Sequence, residues 1–247
     1  MSNKYYIMKQ KRCQYQGENF MKITLLGQAG LLFDNEKVKI MVDPYLSNSV
    51  EKVEPKNFRR VSVNEEFFHV EPDFMIFTHD HLDHYDSETA PRFLKKETKK
   101  MTVLSPTSVW KKAREYGRGH NYVELNRHSE WTEGNFCYKA VKAAHSDPFA
   151  IGILIEALTE GKIYYVTGDT LYNEEIFSDL PEAIDAVFLP INGVGNNMNA
   201  ADAARFARRT GAKKAFPIHY GMFDDLSPEG FSAENREILE IYEERGL

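Results

Sequence analysis

Residues 74–84 read FMIFTHDHLDH, an apolar run that leads directly into three histidines and two aspartates within six positions. The apolar run predicts a buried strand, and the polar cluster begins at its end. Neutral imidazoles and ionised carboxylates are donors that zinc and similar divalent cations bind in proteins. Side chains on an extended segment alternate in direction, so His79 and His81 can face one ion while Asp83 and His84 face a second. The spacing HxHxDH therefore predicts two adjacent metal sites.

Three isolated polar residues stand at the ends of other apolar segments. His145 ends YKAVKAAH, Asp169 ends YYVTGD and His219 ends AFPIH. Taken singly, each histidine is more often structural and Asp169 could merely cap a turn, just as residues 79–84 alone could form a solvated loop. Together they are candidate metal ligands, because loops at strand ends carry functional groups in sheet proteins. For Asp80, we expect a solvated carboxylate or one that orients a ligand.

Apolar runs separated by turn residues predict a layered α/β sandwich made of strand blocks with helices on their flanks. The first strand is expected at residue 21, so residues 1–20 are predicted to be an N-terminal extension and residues 21–247 a single domain. The charged segment 47–72 is predicted to be a long loop. Helices are expected at 87–100, 107–117, 199–211 and 228–246, and the third of these should begin after Asn199 and end at Gly211.

The composition argues against several classes of protein. A formal net charge of −6 and a pI near 5.8 disfavour broad nucleic-acid binding, which needs a surplus of Lys and Arg on one face. The sequence has neither a long apolar stretch nor the apolar run of a secretory signal, so we expect no membrane span and a cytoplasmic protein. Cys13 and Cys137 stand in no metal-binding pattern and are expected to be two reduced thiols.

In the order of these motifs, the sequence resembles the metallo-β-lactamase superfamily over roughly residues 21–220. Asp43 in VDP resembles the first motif of that family, HxHxDH at 79–84 the second, and His145, Asp169 and His219 the third, fourth and fifth. The resemblance implies a four-layer αββα sandwich, an α/β fold with two mixed β-sheets flanked by helices. It also implies a metal-dependent hydrolase domain over residues 21–247, with two metal ions at one edge of the sheets.

The resemblance further implies how the ligands are shared between the ions. The first ion would be held by His79, His81 and His145. The second would be held by Asp83, His84 and His219, and Asp169 would bridge both. Asp43 would orient a ligand without binding metal, and such support commonly changes metal affinity by one or two orders of magnitude. Zinc is the first expectation for this donor set, and manganese is its competitor.

A two-metal mechanism needs no protein nucleophile, and the sequence has neither a GxSxG elbow nor a Walker-type loop. Two cations about 3.5–4 Å apart lower the pKa of a shared water and stabilise the oxyanion that forms after attack. Asp83 is expected to carry a proton beside that water. Asp83 and Asp169 are therefore the predicted catalytic residues.

Within the superfamily, the sequence is most similar to the branch of L-ascorbate-6-phosphate lactonase, through MVDPYLS, THDHLDHYD, VTGDTLYN and the run that begins FLPINGVGNN. Many members of this branch have a histidine where Gln28 stands here. The substrate would be a small ester or lactone, including a sugar-phosphate lactone. Asn192, Asn196 and Asn197 are candidate substrate-binding residues, and the alternative for them is an ordinary turn rich in Asn and Gly.

Three other functions stay open. One is phosphodiester cleavage, as in RNase Z-like or phospholipase D-like members of the superfamily. A second is a non-catalytic metal-binding protein on the same scaffold, and a third is an oxidoreductase with iron in the site. The sequence is also compatible with a homo-oligomer, because interfaces and cores use the same apolar residues.

Overall fold

Thirteen strands form two mixed β-sheets in the computed structural model of the chain, which describes residues 20–247. The strands of the first sheet are β1 (Lys22–Gly27), β2 (Gly30–Asp34), β3 (Lys39–Val42), β4 (Phe74–Ile76), β5 (Thr102–Ser105), β6 (Asn121–Glu124) and β13 (Glu244–Gly246). Those of the second are β7 (Glu130–Glu133), β8 (Phe136–Lys142), β9 (Ile151–Ala157), β10 (Lys162–Val166), β11 (Ala186–Pro190) and β12 (Lys214–Ile218).

Each sheet has an antiparallel and a parallel half. The first sheet has the order β13-β1-β2-β3-β4-β5-β6, with antiparallel pairing from β13 to β3 and parallel pairing from β3 to β6. The second has the order β12-β11-β10-β9-β8-β7, in which β12, β11 and β10 are parallel and the rest antiparallel. The strands β3, β4, β8, β10 and β12 precede the predicted metal ligands and the supporting residue Asp43.

Apolar side chains from both sheets pack between them as the main core. Phe33 of the first sheet meets Phe188 of the second edge-on, with ring centroids 5.4 Å apart. Phe74 and Tyr138 make a second contact between the sheets at 4.8 Å. The outer face of each sheet is apolar as well, so each needs a further layer to cover it.

Helices supply these outer layers. The four α-helices of the described residues are α1 (Ser49–Val53), α2 (Thr89–Leu94), α3 (Thr107–Ala113) and α4 (Ala200–Thr210). Phe93 of α2 and Val109 of α3 pack on the outer face of the seven-stranded sheet. Phe206 of α4 packs on the outer face of the six-stranded sheet. The predicted αββα sandwich with two mixed sheets is confirmed.

The caps of α4 also match the prediction. The Asn199 side chain accepts a hydrogen bond from the Asp202 N–H at 2.9 Å, which satisfies one of the free amides of the first turn. Gly211 ends the helix at a φ of +65°, a conformation that glycine adopts without steric cost. The helices predicted at 87–100 and 107–117 form over shorter spans, as α2 and α3.

The prediction of a long loop over 47–72 is wrong in part. This segment contains α1 and a 3₁₀ helix at Glu65–His69. Each is anchored by an apolar side chain that turns into the protein, Val50 in the first and Phe68 in the second. Single apolar anchors of this kind give too little periodicity to predict so short a helix from sequence.

The predicted helix at 228–246 is also wrong. A 3₁₀ helix covers Pro228–Gly230, and the chain then continues to β13 without a further helix. Its backbone binds the edges of both sheets: Glu237 N–H donates to the Ala215 carbonyl at 2.9 Å, and Tyr242 N–H donates to the Leu25 carbonyl at 2.8 Å. These edge groups would otherwise lack partners, and pairing them outweighs the helix propensity of the segment.

The prediction that residues 1–20 form an extension falls outside the described residues, apart from Phe20, whose side chain is exposed. Met21 is buried and β1 begins at Lys22, so the sandwich starts where the sequence predicted its first strand. Among the helices of residues 20–247, none has the length and apolar character that crossing a membrane requires.

Candidate metal centre

Strand ends place the predicted ligands at one edge of the sandwich. The HxHxDH loop follows β4 in the seven-stranded sheet, while His145, Asp169 and His219 follow β8, β10 and β12 in the other. In the six-stranded sheet, β12, β11 and β10 are parallel, and β8 runs with them because two antiparallel pairings separate β8 from β10. Their carboxyl ends therefore lie at the same edge, facing the loop after β4.

The seven predicted ligands come together there in three overlapping groups of possible metal donors. Within each group, the donor atoms all lie within 4.8 Å of one another. The groups are His79 with His81 and His145, His79 with His84 and Asp169, and Asp83 with His84 and His219.

The contacts inside this cluster are close. His145 Nε2 lies 3.1 Å from His81 Nδ1, and the His79 ring centroid lies 4.0 Å from that of His84. His219 Nε2 lies 3.2 Å from Asp83 Oδ2 and 3.3 Å from Asp169 Oδ2. Residues that are up to 140 positions apart in the sequence thus present their polar atoms to one shared space.

Three buried atoms of the cluster fit a metal better than they fit one another. His79 Nε2, His84 Nε2 and Asp169 Oδ1 have no hydrogen-bond partner. His84 Nε2 and Asp169 Oδ1 are 3.2 Å apart, but their orientation does not make a hydrogen bond. Buried polar atoms without partners cost free energy, so their convergence calls for a ligand that accepts lone pairs. Divalent cations are ligands of this kind, and these three residues form one of the candidate donor groups.

Asp43 supports the cluster from below. It is fully buried after β3; Oδ1 accepts the Thr78 N–H at 2.8 Å, and Oδ2 accepts the Thr78 hydroxyl. His84 Nδ1 lies 2.9 Å from Asp43 Oδ2, which makes Nδ1 the donor and leaves Nε2 of the same ring free to face the cluster. This geometry is what orients a metal-binding histidine. Asp80 points elsewhere, toward Lys112 Nζ at 2.7 Å.

Burial and mutual repulsion keep one side of the cluster neutral. Burial lowers the pKa of His79 well below the ordinary histidine value, and the neighbouring His84 lowers it further. Burial likewise lowers the pKa of His145. Both imidazoles are therefore unprotonated near neutral pH, which is the form that binds metal.

The other side of the cluster is charged in the metal-free protein. Burial disfavours a charge on His84 and His219, but Asp169 and Asp83 outweigh it and raise both pKa values, that of His219 to about 9. In turn, burial acts to raise the pKa of the two carboxylates, yet the imidazolium charges hold the pKa of each below its usual range. These shifts favour charged imidazoles beside charged carboxylates on this side of the cluster.

The side chain of Gln28 contacts two members of the cluster, and the five sequence motifs did not predict this contact. Its Nε2 donates to Asp83 Oδ2 at 2.7 Å and lies 3.2 Å from each ring nitrogen of His219. The backbone carbonyl of Gln28 accepts a hydrogen bond from the backbone N–H of His219 at 2.8 Å. Gln28 thus places a side-chain amide against Asp83. The signal in the sequence was a polar residue, Gln28, directly after the glycine that ends β1.

Backbone strain is concentrated at the same place. Gln28, Asp43 and His219 have φ values of +53°, +43° and +60°, a backbone region that residues other than glycine rarely adopt. Such conformations persist where the surrounding structure imposes them, and they cluster at functional sites. Gly168, just before Asp169, has a φ of +59°, and a Cβ there would lie 2.7 Å from the Ile151 carbonyl oxygen.

The three candidate substrate-binding asparagines lie in different settings. Asn197 is buried; its side-chain N–H donates to Asp169 Oδ2 at 2.7 Å, and its Oδ1 accepts the Thr170 N–H at 2.9 Å. Asn196 is exposed, and its backbone carbonyl lies 3.3 Å from His145 Nδ1. Asn192 and Asn197 line the cleft described next, and the Asn192 Oδ1 atom is buried without a partner.

A cleft of about 720 Å³ opens onto the cluster. Its floor contains His81, Asp83, Asp169 and His219. Its walls come from α1 and the segment after it, from the loop 192–197, and from Phe223 and Asp224 after β12. Sequence reasoning missed the contribution of α1, because the segment was predicted to be a loop.

The profile described as the beta-lactamase superfamily domain matches residues 39–220, about three quarters of the chain. The chain belongs to the beta-lactamase superfamily. The matched region contains all seven residues of the cluster and Asp43.

Relatives and solved structures are consistent with this membership. A UPF0173 metal-dependent hydrolase of Ligilactobacillus salivarius is 27% identical over 214 residues, covering 85% of this chain and 89% of its own length. The metallo-beta-lactamase fold protein YhfI of Bacillus subtilis has a TM-score of 0.68 at 20% identity, over 92% of this chain and 99% of its own. The diiron β-hydroxylase CmlA of Streptomyces venezuelae has a TM-score of 0.70 at 14% identity, over 94% of this chain and 54% of its own.

Membership of this superfamily, together with the donor groups in the structure, identifies the chain as a metal-dependent hydrolase with the metallo-β-lactamase fold. Because the same fold is found in a β-hydroxylase, the fold alone does not define the substrate.

Proposed function

We propose that the chain binds two divalent cations and hydrolyses a small ester or lactone. His79, His81 and His145 would hold one ion, and Asp83, His84 and His219 the other, with Asp169 between them. The observation that carries this proposal is the convergence of three partnerless buried atoms, on His79, His84 and Asp169, with two flanking donor groups.

The donor types favour zinc, with manganese as the second choice. Five imidazoles and two carboxylates form the set, and imidazole suits zinc, whereas carboxylate-rich sets suit manganese. The three histidines around the first position make that position the more zinc-like of the two. The second position has Asp83 and shares Asp169, so it is the more tolerant of manganese.

The bound ions would supply Lewis acidity, which lowers the pKa of a water molecule at the site and polarises a carbonyl. The side chains do the rest. Asp43 and Asn197 fix the orientation of His84 and Asp169. Asp83 is ionised, faces the cleft and has an 18% exposed side chain, so it can accept a proton from water.

Hydrolysis of an ester or lactone at this site needs no reagent other than one water molecule. The water oxygen adds to the carbonyl carbon, and the bond from that carbon to the ester or ring oxygen breaks. The departing oxygen takes up the proton that Asp83 received, which yields an acid and an alcohol, joined in one molecule when the substrate is a lactone. No side chain forms a covalent bond to the substrate.

The test combines elemental analysis of protein purified without added metal with three substrates: γ-butyrolactone, p-nitrophenyl acetate and bis(p-nitrophenyl) phosphate. We expect two ions per chain and turnover of the first two substrates. His79→Ala should abolish turnover and lower the metal content while the far-ultraviolet circular dichroism is unchanged. The matched control is His69→Ala, which removes an exposed histidine outside the cleft.

Three results would overturn the proposal. Protein without bound metal that still turns over esters would remove the cations from the chemistry. Turnover of the phosphodiester alone would assign the chain to the phosphodiesterases. Metal binding without turnover of any of the three substrates would favour a non-catalytic protein.

A further inference from the structure

The walls of the cleft carry apolar side chains that the fold itself does not use. Val53 at the end of α1 is 71% exposed, and Val194 in the loop 192–197 is 63% exposed. Both line the cleft, and neither packs against a core cluster. Val50, one turn before Val53 in α1, also lines the cleft, although most of its side chain is buried.

The remaining apolar groups of the cleft extend this surface toward the donor atoms. Leu82 lies inside the HxHxDH loop, and Phe223 lies four residues after His219, where its ring packs edge-on against Tyr45 at 5.6 Å. The lining of the cleft therefore includes apolar side chains both on its outer walls and beside the donor cluster. Side chains of this kind bind a substrate by burying its carbon atoms.

The charges in the cleft disfavour an anionic substrate. Among its lining residues within 20–247, four are carboxylates and none is Lys or Arg. Two of the carboxylates are in the walls: Glu54 accepts the Asn57 amide at 2.6 Å, and Asp224 accepts the Gly221 and Leu226 N–H groups at 2.9 and 3.0 Å. The other two are Asp83 and Asp169. Two divalent cations would balance these four charges and leave no positive surplus for a phosphate.

We infer that the substrate is an uncharged ester or lactone with an apolar chain, and that Val53 and Val194 set this preference from the two walls of the cleft. The inference rests on the proposed function and narrows it. The carbonyl group lies at the metal cluster and the chain lies between the two valines. A phosphorylated sugar lactone is a poor substrate, because its distal phosphate meets carboxylates.

The first experiment compares three lactones with the full-length, metal-loaded enzyme: γ-butyrolactone, γ-nonalactone and 6-phosphogluconolactone. Each CH₂ group that becomes buried raises kcat/KM about fourfold. Because the chain of γ-nonalactone is only partly buried in an open cleft, we expect its kcat/KM to exceed that of γ-butyrolactone at least about tenfold. The phosphorylated lactone should be the poorest of the three.

The second experiment tests the two valines. Val53→Asp and Val194→Asp should each remove most of the preference for γ-nonalactone, mainly by raising the KM for that substrate. Leu158→Asp is the matched control, because Leu158 is also exposed but lies at the β9–β10 turn, outside the cleft. The Val53→Lys, Val194→Lys double variant should improve kcat/KM for 6-phosphogluconolactone.

Failure of the inference can be told apart from failure of the proposed function. If γ-butyrolactone is hydrolysed but chain length has no effect, or the phosphorylated lactone is preferred, the inference is wrong and the proposed function stands. If the chain-length preference survives both valine variants, the rim binds something other than substrate and the inference is also wrong. If neither a lactone nor p-nitrophenyl acetate is turned over, the proposed function itself fails.

Discussion

Asn197 shows how a single side chain can be assigned a role only when its partners are known. From sequence it is one of three asparagines in a turn, equally suited to contacting a sugar. In the structure, both polar atoms of its side chain are engaged, one with Asp169 and one with the Thr170 backbone. This contact fixes the orientation of the Asp169 carboxylate, which belongs to the donor group of His79, His84 and Asp169.

We therefore predict that Asn197→Ala weakens metal binding by about 10- to 100-fold, the usual effect of losing a group that orients a ligand. The measurement is competition with a chromogenic chelator. Asn196→Gly is the control: it removes the neighbouring side chain, keeps the carbonyl that contacts His145, and suits the φ of +64° at that position. Equal metal affinity in the wild type and Asn197→Ala would contradict the assignment.

The raised pKa values of His84 and His219 make metal binding depend on pH. A folded-state pKa of about 9 for His219 means that the metal-free protein carries a proton there at pH 7, and that this proton stabilises the metal-free fold until the pH rises through 9. Metal binds only the neutral ring. Affinity should therefore rise with pH up to about 9, by about tenfold per pH unit for each proton displaced.

Calorimetric titration in two buffers of different ionisation enthalpy at pH 7 measures the protons released. We expect release of at least one proton for each chain that is filled with metal. An affinity that is constant between pH 6.5 and 8.5, with no buffer dependence of the enthalpy, would show that both rings are already neutral.

At the scale of elements, the predictions succeeded where the signal was local. The helix α4 begins after Asn199 and ends at Gly211 as predicted, because capping depends only on the backbone of that helix. The segment 228–246 failed, because its conformation depends on the free edges of β1 and β12, which no local pattern contains. The seven predicted ligands come together in the structure for a similar reason: each follows the end of an apolar strand.

The end of β10 offers a test of how an element positions a ligand. Gly168→Ala would require a positive φ and would place Cβ 2.7 Å from the Ile151 carbonyl and 3.0 Å from the Thr78 Cβ. Both neighbours must shift, and Thr78 directly precedes His79. We predict a loss of unfolding free energy beyond the ~1–2 kcal/mol cost of the backbone conformation alone, together with weakened metal binding.

Gly161→Ala is the matched control for that prediction. Gly161 has a φ of +61°, in the β9–β10 turn, and nothing lies within 4 Å of the Cβ that alanine would add. Urea unfolding of both variants separates the conformational cost, which they share, from the overlap, which only Gly168→Ala has. Equal destabilisation by the two substitutions would show that the crowding at the end of β10 is relieved without displacing the site.

At the scale of the whole molecule, the αββα architecture was predictable because strand blocks, flanking helices and five ordered motifs all indicate it. The cleft was not, because α1, the loop 192–197 and Phe223 come together only in the folded chain. The exposed valines at its rim have no sequence signature at all: a Val in a predicted loop looks like any other. Substrate preference therefore had to be argued from the structure.

The donor groups also connect the two sheets, and this has a consequence for global stability. His79, Asp83 and His84 belong to a loop of the seven-stranded sheet, whereas Asp169 and His219 follow strands of the other. Cations held between them would cross-link the sheets at this edge and bind only the folded state. A ligand present at 100 times its Kd stabilises a fold by about 2.7 kcal/mol.

For a chain of this size, about 2–4 °C of Tm corresponds to each kcal/mol, so chelation should lower the Tm by about 5–10 °C. Differential scanning calorimetry with and without EDTA measures the shift, after elemental analysis has established that the starting protein holds metal. Chelation should lower the Tm of His79→Ala by less, because this variant lacks a donor that belongs to two of the three donor groups. A chelator shift of the same size in the variant would place the stabilising ion elsewhere in the protein and would separate the stability of the sandwich from this cluster.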